Sequence, residues 1–449
     1  MAISALVRRS ALEPAWTLYS GARLLTGARE LERTQYLSWP ELHAMQMHRL
    51  ATLLEFVNRR NPFYQQRFKE AGIEPQSVRS LEDFRRIPIL TKGEVRALGR
   101  GLLSTGFNVS ELQQAKTGGS TGKPIEVFFT EEVSQLRNAS GRRNKRQTGW
   151  KAGEPIGAVW GNPIEPTSLR ERLRRWVLDP TISLDTMSIT PDAVREFGRQ
   201  WRRVQPTLLF GHAHSVFVLA TIIDELGVTD IRPRGIIASS MMLLPHERSV
   251  IERVFGVKVT DIYGCEEVGL IAGECERHEG LHINADQLIV EVLREDGSPA
   301  APGEAGLVVV TDLLNTAMPF IRYRMEDYAE VSATPCSCER GAPTLRRIVG
   351  RTADFLKRMD GSRVAGISLI ENTLTRIPGI EQMQIVQDAL NHLVVRIVPG
   401  PEFSAKRRDE LQSYFASTFD GATIELEDVK SIAQEANGKY RFSICRVPD

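Results

Sequence analysis

The segment TLLFGHAHSVFVLATIIDELGVTDIRPRGIIAS, residues 207–239, contains the pattern that indicates the fold class. Two short apolar runs, residues 207–211 and 235–239, flank a helix-length amphipathic segment. The runs PIGAVW at 155–160 and KVTDIYG at 258–264 continue the alternation on either side. Short apolar runs that alternate with helical segments are typical of parallel strands joined by crossover helices. The sequence therefore predicts an α/β fold with a parallel sheet in this part of the chain.

The regions on either side of this parallel unit have other patterns. Among the first hundred residues, apolar side chains recur at i, i+3, i+4 and i+7 at Leu50, Leu53, Leu54 and Val57, which predicts an amphipathic helical layer. The runs QLIVEVL at 287–293 and GLVVVTDL at 306–313 are β-rich and are separated by a turn signal. We therefore expect an antiparallel β unit after the parallel strands.

The end of the chain predicts a second domain. After Gly350 the runs MQIVQ and HLVVRIV, a helical segment and the run ATIELEDV form a pattern of about 100 residues that is typical of a small α+β module. A chain of 449 residues is too long for one ordinary compact domain. We expect a large N-terminal domain at residues 1–349 and a small, mobile C-terminal α+β domain at residues 350–449.

Composition and charge exclude several classes of function. The chain has 57 Lys and Arg against 56 Asp and Glu, a net charge of +1, so no overall field attracts nucleic acid or an anionic membrane. The longest apolar run, near residues 216–223, is far shorter than the roughly 20 residues of a transmembrane helix. The first residues lack the order of parts of a signal peptide. We expect a cytoplasmic protein that binds no nucleic acid and inserts in no membrane, and a homodimer is left open.

The sequence TGGSTGKPIEVFF, at 117–129, has the composition of a phosphate-binding loop. Glycines allow close approach of the backbone to an anion, and hydroxyl, amide and ammonium groups donate to phosphate oxygens. A Walker A loop has four residues between its glycines, whereas Gly118 and Gly122 enclose three and Pro124 follows the lysine. An ordinary glycine-rich turn is the alternative. The candidate phosphate ligands are Thr117, Gly118, Gly119, Ser120, Thr121, Gly122 and Lys123.

Cysteines and histidines are concentrated in two short segments. ECERHEGLHI contains Cys275, His278 and His282, and PCSCERG contains Cys336 and Cys338. Together they offer more than the four ligands that Zn²⁺ takes in tetrahedral geometry. A closed shell of four leaves no position for a catalytic water, so a metal here would be structural. The alternative is a set of reduced thiols beside unrelated surface histidines.

The glycine-rich loop is the first of five segments whose order resembles one superfamily. The loop is similar to the TSGSTGKP signature of adenylate-forming enzymes. The lead-in PFYQQRF and LEDFRRIPILTKGEVR further resembles the phenylacetate-CoA ligase-like, CapK-like branch. The four later segments are YGCEE at 263–267, NTAMPFIRYRMEDYAEV at 315–331, IVGRTADFLKRMDG at 348–361 and NGKYRF at 437–442.

The resemblance implies roles for individual residues. Tyr263, with Gly264 beside it, would flank the adenine of ATP, and Glu267 would bind Mg²⁺. Asp327 and Arg351 would contact the ribose hydroxyls. By the resemblance, these residues would together bind ATP and its Mg²⁺.

Further implications of the resemblance concern the C-terminal domain and the metal. Lys439 would bridge the substrate carboxylate and the α-phosphate. The zinc pattern of phenylacetate-CoA ligase-like relatives favours Cys275, His282, Cys336 and Cys338 as ligands, with His278 as the alternative fourth. Where many relatives have a hinge aspartate or lysine, this chain has Ala353, which puts the pivot for domain rotation in doubt.

The implied activity is ATP-dependent activation of a carboxylic acid as acyl-AMP, with ATP and Mg²⁺, followed by transfer to coenzyme A. The acid is not identified by the sequence. An amine, a hydroxyl or a carrier protein is the alternative acceptor, and a catalytically silent homologue is a third hypothesis that Ala353 favours. The carboxylate and the α-phosphate that it attacks are both negatively charged. The main catalytic requirement of such a reaction is therefore a group of positive charges that neutralises them.

Two residues after the run TLLFG are candidates for the acyl pocket. His212 and Ser215 follow a predicted strand at its carboxyl end, where α/β sheets bind ligands. The alternative is a helix start whose histidines face solvent or cap the turn.

Overall fold

A computed structural model gives the structure of the chain. It describes residues 4–20, 24–116, 125–160, 172–173, 176, 178, 180–186, 189–351, 355–360, 362–433 and 441–447.

Helices precede, separate and follow the strands. The long helix α4 begins after Ser38, whose backbone N–H and hydroxyl both donate to Glu41, and ends where Asn61 begins the next helix. The described α-helices are α1 Ala5–Val7, α2 Glu13–Ser20, α3 Leu24–Thr34, α4 Trp39–Arg60, α5 Pro62–Glu70, α6 Leu81–Arg85, α7 Lys92–Leu98, α8 Glu131–Gln147, α9 Pro191–Val204, α10 Ala213–Leu226, α11 Pro245–Phe255, α12 Gly366–Arg376 and α13 Ala405–Thr418.

The described strands are numbered in chain order. They are β1 Gln113–Lys116, β2 Glu126–Phe129, β3 Ile156–Trp160, β4 Thr181–Asp185, β5 Leu208–His212, β6 Gly235–Ser239, β7 Val259–Cys265, β8 Gly269–Glu274, β9 Leu281–Ile283, β10 Leu288–Leu293, β11 Ala305–Asp312, β12 Tyr323–Val331, β13 Thr344–Arg351, β14 Phe355–Lys357, β15 Arg363–Ala365, β16 Ile380–Ala389, β17 His392–Pro399, β18 Thr423–Asp428 and β19 Ser443–Cys445.

One eleven-stranded sheet carries most of the chain. Its order is β10-β11-β12-β13-β9-β8-β7-β6-β5-β3-β4. Strands β3 to β7 pair in parallel, and β7 to β13 pair antiparallel. The predicted α/β fold, with an antiparallel unit after the parallel one, is confirmed. The change from parallel to antiparallel pairing occurs at β7, so both halves meet at the strand that contains Tyr263, the predicted adenine-flanking residue.

The predicted helical layer covers the antiparallel half of this sheet. Leu50, Leu53, Leu54 and Val57 of α4 are all buried, and they belong to the same apolar core as residues of β10 and β11. A second core surrounds α10 and the parallel strands. Burial of an apolar helix face against a sheet is the main source of helix stability in a domain, which explains why the periodicity predicted α4 correctly.

The C-terminal part has its own sheet and core. Four strands in the order β18-β17-β16-β19 pack with α13 around Leu411 and Phe415, as the α+β pattern predicts. The predicted division between residues 349 and 350 falls inside β13, which ends at Arg351. That exact division stays a prediction. Among the described helices, none combines the length and the apolarity that a bilayer crossing requires.

Candidate active site and metal centre

Two of the predicted nucleotide-binding residues are in direct contact. Tyr263 lies in β7 and Asp327 lies in β12, and the tyrosine hydroxyl donates to the aspartate Oδ2 at 2.7 Å. Asp327 is buried. It stands opposite Arg351 in the antiparallel register of β12 and β13. The structure thus brings the predicted adenine-flanking residue and both predicted ribose-binding positions to one place in the sheet.

A tight turn after Tyr263 places Glu267. At Gly264 a Cβ atom would lie 2.7 Å from the carbonyl oxygen of Gly269, so the close approach of the two strands requires glycine here. The register of β7 and β8 shifts at the same point. The buried carboxylate of Glu267 accepts a hydrogen bond from the hydroxyl of Tyr323 at 3.1 Å. Burial and the negative charge of Glu267 raise the pKa of Tyr323, which keeps this hydroxyl a donor.

Arg137 of helix α8, which no sequence motif marks, contacts this turn. Its Nη2 donates to the backbone carbonyl of Glu267 at 2.7 Å and to Oδ2 of the buried Asp312 at 2.8 Å. Its guanidinium also lies over the ring of Phe129, 4.6 Å from the centroid. Arg137 is one of several arginines on a polar helix, and its contacts with Glu267 and Asp312 distinguish it, since Arg143 of the same helix pairs with Asp286 instead.

Several predicted residues fall outside the described part of the chain. They are the glycine-rich loop residues Thr117 to Lys123, the hinge residue Ala353 and the C-terminal Lys439. The strands on either side of the loop, β1 and β2, pair antiparallel. The backbone of Arg351 is described as the end of β13.

Four predicted metal ligands converge from two segments. One ligand atom each from Cys275, His282, Cys336 and Cys338 lies within 4.8 Å of every other. Cys275 Sγ is 3.6 Å from Cys336 Sγ, and Cys338 Sγ is 3.2 Å from His282 Nε2. In a tetrahedral site with Zn–S bonds of about 2.3 Å, sulfurs stand about 3.8 Å apart. The donor set and its spacing fit one Zn²⁺ ion.

The two candidate histidines have different surroundings. His282, in β9, belongs to the group of four, and burial lowers its pKa to about 4, so at neutral pH the ring is in the uncharged form that binds metals. His278 has a positive φ of 57° and its Nδ1 lies 3.2 Å from Glu274 Oε2. The geometry therefore favours His282 over His278 as the fourth ligand.

The two acyl-pocket candidates lie where the sequence places them. His212 is the last residue of β5, and Ser215 lies in the first turn of α10. Both are buried, and the ring of His212 lies 4.1 Å from that of Trp160 at the end of β3. The alternative of histidines that face solvent is wrong, because His212 and His214 are only 2% and 5% exposed.

His214 has a partner, Glu247, that no sequence motif indicates. Its Nδ1 lies 2.7 Å from Oε1 of Glu247 in the first turn of α11, and both side chains are buried. The two residues are 33 positions apart, and in the sequence Glu247 is an ordinary first-turn acid of a predicted helix.

Comparisons with known proteins agree with this architecture. The family model of the CapK C-terminal domain matches residues 356–446. Phenylacetate-coenzyme A ligase of Escherichia coli K12 is 28% identical over 410 residues, which are 86% of this chain and 84% of that protein. The enzyme of the same name from Thermus thermophilus is 28% identical over 329 residues, 70% of this chain and 72% of that protein.

A solved structure extends the likeness to the fold. The crystal structure of 2-hydroxyisobutyryl-CoA ligase in the postadenylation state has a TM-score of 0.74 at 20% identity, over 92% of this chain and 91% of that one. The same ligase in the thioesterification state has a TM-score of 0.62. The resemblance read from the motifs is confirmed: this chain is similar to the phenylacetate-CoA ligases over most of its length, and residues 356–446 match the CapK C-terminal domain.

Proposed function

We propose that this chain is an AMP-forming acid–CoA ligase, which activates a carboxylic acid with ATP as acyl-AMP and transfers the acyl group to coenzyme A. The observation that carries the proposal is the grouping of Tyr263, Asp327 and Glu267 at one site of the large sheet, in a homologue of phenylacetate-CoA ligases. The match to the Escherichia coli enzyme covers 86% of this chain and 84% of that protein, which supports a proposal for the whole chain.

The nucleotide would be held by groups from several strands. Tyr263 would lie along the adenine, while its hydroxyl keeps the carboxylate of Asp327 in one orientation. Asp327 would accept hydrogen bonds from the ribose hydroxyls, and Arg351, opposite it in the register, would donate to them. Thr117 to Lys123 would supply backbone N–H, hydroxyl and ammonium donors for the phosphates.

The carboxylate of Glu267 fits a magnesium ligand. Mg²⁺ prefers oxygen ligands and is commonly bound by one or two carboxylates together with substrate phosphates. Only Oε1 of Glu267 accepts the Tyr323 hydrogen bond at 3.1 Å, and Arg137 holds the backbone of the same residue. Magnesium would supply positive charge at the phosphates. Lys439 would contribute a second positive charge between the acid and the α-phosphate, and the small domain would present it.

The four-ligand cluster is proposed as a structural zinc site. Cys275, His282, Cys336 and Cys338 form a closed Cys₃His set, which has no position for a catalytic water. Cys275 follows β8, His282 lies in β9, and Cys336 and Cys338 lie between β12 and β13. A metal there would tie these parts of the antiparallel half together.

The acyl group is proposed to lie at the carboxyl ends of β3 and β5. His212, Trp160 and Ser215 are grouped there, in the position where ligands bind in open α/β sheets. We further propose that residues 1–349 and 350–449 act as the large domain and the mobile domain. A homodimer stays a prediction.

A panel of carboxylic acids, scored by pyrophosphate release with and without coenzyme A, tests the proposal. The expected result is acid-dependent pyrophosphate release, and with coenzyme A a thioester identified by mass spectrometry. Pyrophosphate release without thioester formation would favour an amine, a hydroxyl or a carrier protein as acceptor. No release with any acid, from protein that binds ATP, would instead favour a catalytically silent homologue.

A further inference from the structure

A buried pair, His214 and Glu247, has no part in the proposed nucleotide and metal sites. The Nδ1–H of His214 donates to Oε1 of Glu247, since a carboxylate only accepts, and the two atoms are 2.7 Å apart. The other oxygen of Glu247 accepts the backbone N–H of Leu244 at 3.3 Å. Glu247 is therefore held at both oxygens, and through it the imidazole has one orientation. Burying such a pair costs desolvation and is weak evidence for a role in stability.

The ring of His214 lies in a group of aromatic side chains. Its centroid is 5.8 Å from that of Phe217, and Phe217 lies 5.6 Å from His246. We name His214, Phe217, His246 and Glu247 the socket. A side chain of the C-terminal domain contacts it: the ring of Phe442 lies 6.3 Å from that of His214, at an interplanar angle of 90°. Edge-to-face packing at this distance is a favourable aromatic geometry.

Phe442 is fixed to the small domain. It packs against the small-domain core, and its carbonyl oxygen accepts the backbone N–H of Ile385 at 2.9 Å. The carbonyl oxygen of Arg441 accepts from Nε2 of Gln384 at 2.7 Å. The next residues form β19, which pairs in parallel with β16. Because Phe442 is fixed to this sheet, its contact with the socket also fixes the position of the small-domain sheet.

We propose that the socket is the docking point for the small domain in the first half-reaction, and that His214 is a positioning residue for Lys439. Lys439 stands three residues before Phe442 in the sequence. Three residues of extended chain span at most about 11 Å, so a contact that fixes Phe442 also restricts the region that Lys439 reaches. The inference rests on the proposed function, because the first half-reaction is the step that needs this lysine.

A double-mutant cycle with His214→Ala and Phe442→Leu tests the docking contact. Each single variant is expected to lower turnover in acid-dependent pyrophosphate release about tenfold, with the KM for ATP and for the acid within about twofold of wild type. The double variant is expected to be no slower than the more damaged single variant, since both changes remove one contact. Thioester formation from synthetic acyl-AMP and coenzyme A should stay within about twofold of wild type.

Two further variants separate positioning from folding. Glu247→Gln keeps an oxygen that accepts from His214 and is expected to retain most of the turnover that His214→Ala loses. Phe403→Leu removes another aromatic ring that packs against the small-domain core and serves as the control with normal turnover. If His214→Ala does not fold, Phe442→Leu tests the same contact from the small domain.

The outcomes that overturn the docking role are specific. Additive losses in the cycle, equal damage to both half-reactions, or a raised KM for the acid after His214→Ala would each reject it. Normal turnover in the variants of an active wild-type enzyme rejects the docking role alone. A wild-type chain that releases no pyrophosphate with any acid rejects the proposed function itself.

Discussion

The hydroxyl of Tyr263 donates to Oδ2 of Asp327 at 2.7 Å, across two strands that are far apart in the sheet order. The contact joins residues 64 positions apart in the chain. It gives the buried carboxylate of Asp327 a fixed orientation, and a fixed acceptor would bind the proposed ribose with less loss of side-chain entropy.

Tyr263→Phe tests how much this hydrogen bond contributes to ATP binding. Hydrogen bonds to a charged group contribute about 1.5–3 kcal/mol, so we expect the KM for ATP to rise about tenfold while the melting temperature changes little. Tyr414→Phe removes a hydroxyl from α13 in the small domain and should leave the KM unchanged. Steady-state kinetics at saturating acid measures both. An unchanged KM for ATP in Tyr263→Phe would mean that Asp327 is oriented by other groups.

Glu267→Gln tests the predicted magnesium ligand. The amide oxygen can still accept from Tyr323, so the fold should persist, but a neutral oxygen is a poor ligand for a hard cation. We expect pyrophosphate release at limiting Mg²⁺ to fall at least about 100-fold. The neighbouring exposed Glu266 supplies the matched control, Glu266→Gln, with normal Mg²⁺ dependence. Equal Mg²⁺ dependence in the two variants would remove Glu267 from the metal site.

Metal analysis tests the zinc site. About one zinc per chain should copurify, and Cys336→Ser should lower the melting temperature by about 5 °C or more, while the folded fraction keeps most of its activity. Cys445→Ser, in β19 and outside the cluster, is the control and should change neither zinc content nor melting temperature. Purified wild-type protein without zinc contradicts the assignment. So does a Cys336→Ser variant that is stable but inactive.

Lys439→Ala separates the two half-reactions. The lysine charge is needed only while the carboxylate attacks the α-phosphate, so turnover in pyrophosphate release should fall about 100-fold or more with little change in ATP affinity. Consumption of synthetic acyl-AMP with coenzyme A should persist. Lys430→Ala changes an exposed lysine of the same domain and should leave both rates normal. Equal damage to both half-reactions would give Lys439 a structural role.

Sequence patterns predicted the parts of the fold whose physics is local. The alternation around residues 207–239 predicted β5, α10 and β6 because a strand or helix that buries one face must repeat its apolar residues with that period. The same holds for the periodic leucines of α4. The order of the motifs predicted the similarity to phenylacetate-CoA ligases, which the comparisons confirm.

Which of these residues contact one another depends on the tertiary structure. Cys275 and Cys336 are 61 positions apart, and the pairing of β8, β9 and β13 brings them together with His282 and leaves His278 beside Glu274. Arg137 and the pair of His214 with Glu247 have ordinary sequence contexts. What distinguishes these residues is contact with a specific partner that is distant in the sequence. Which partner a residue meets depends on strand order and packing, and no local sequence period encodes either of them.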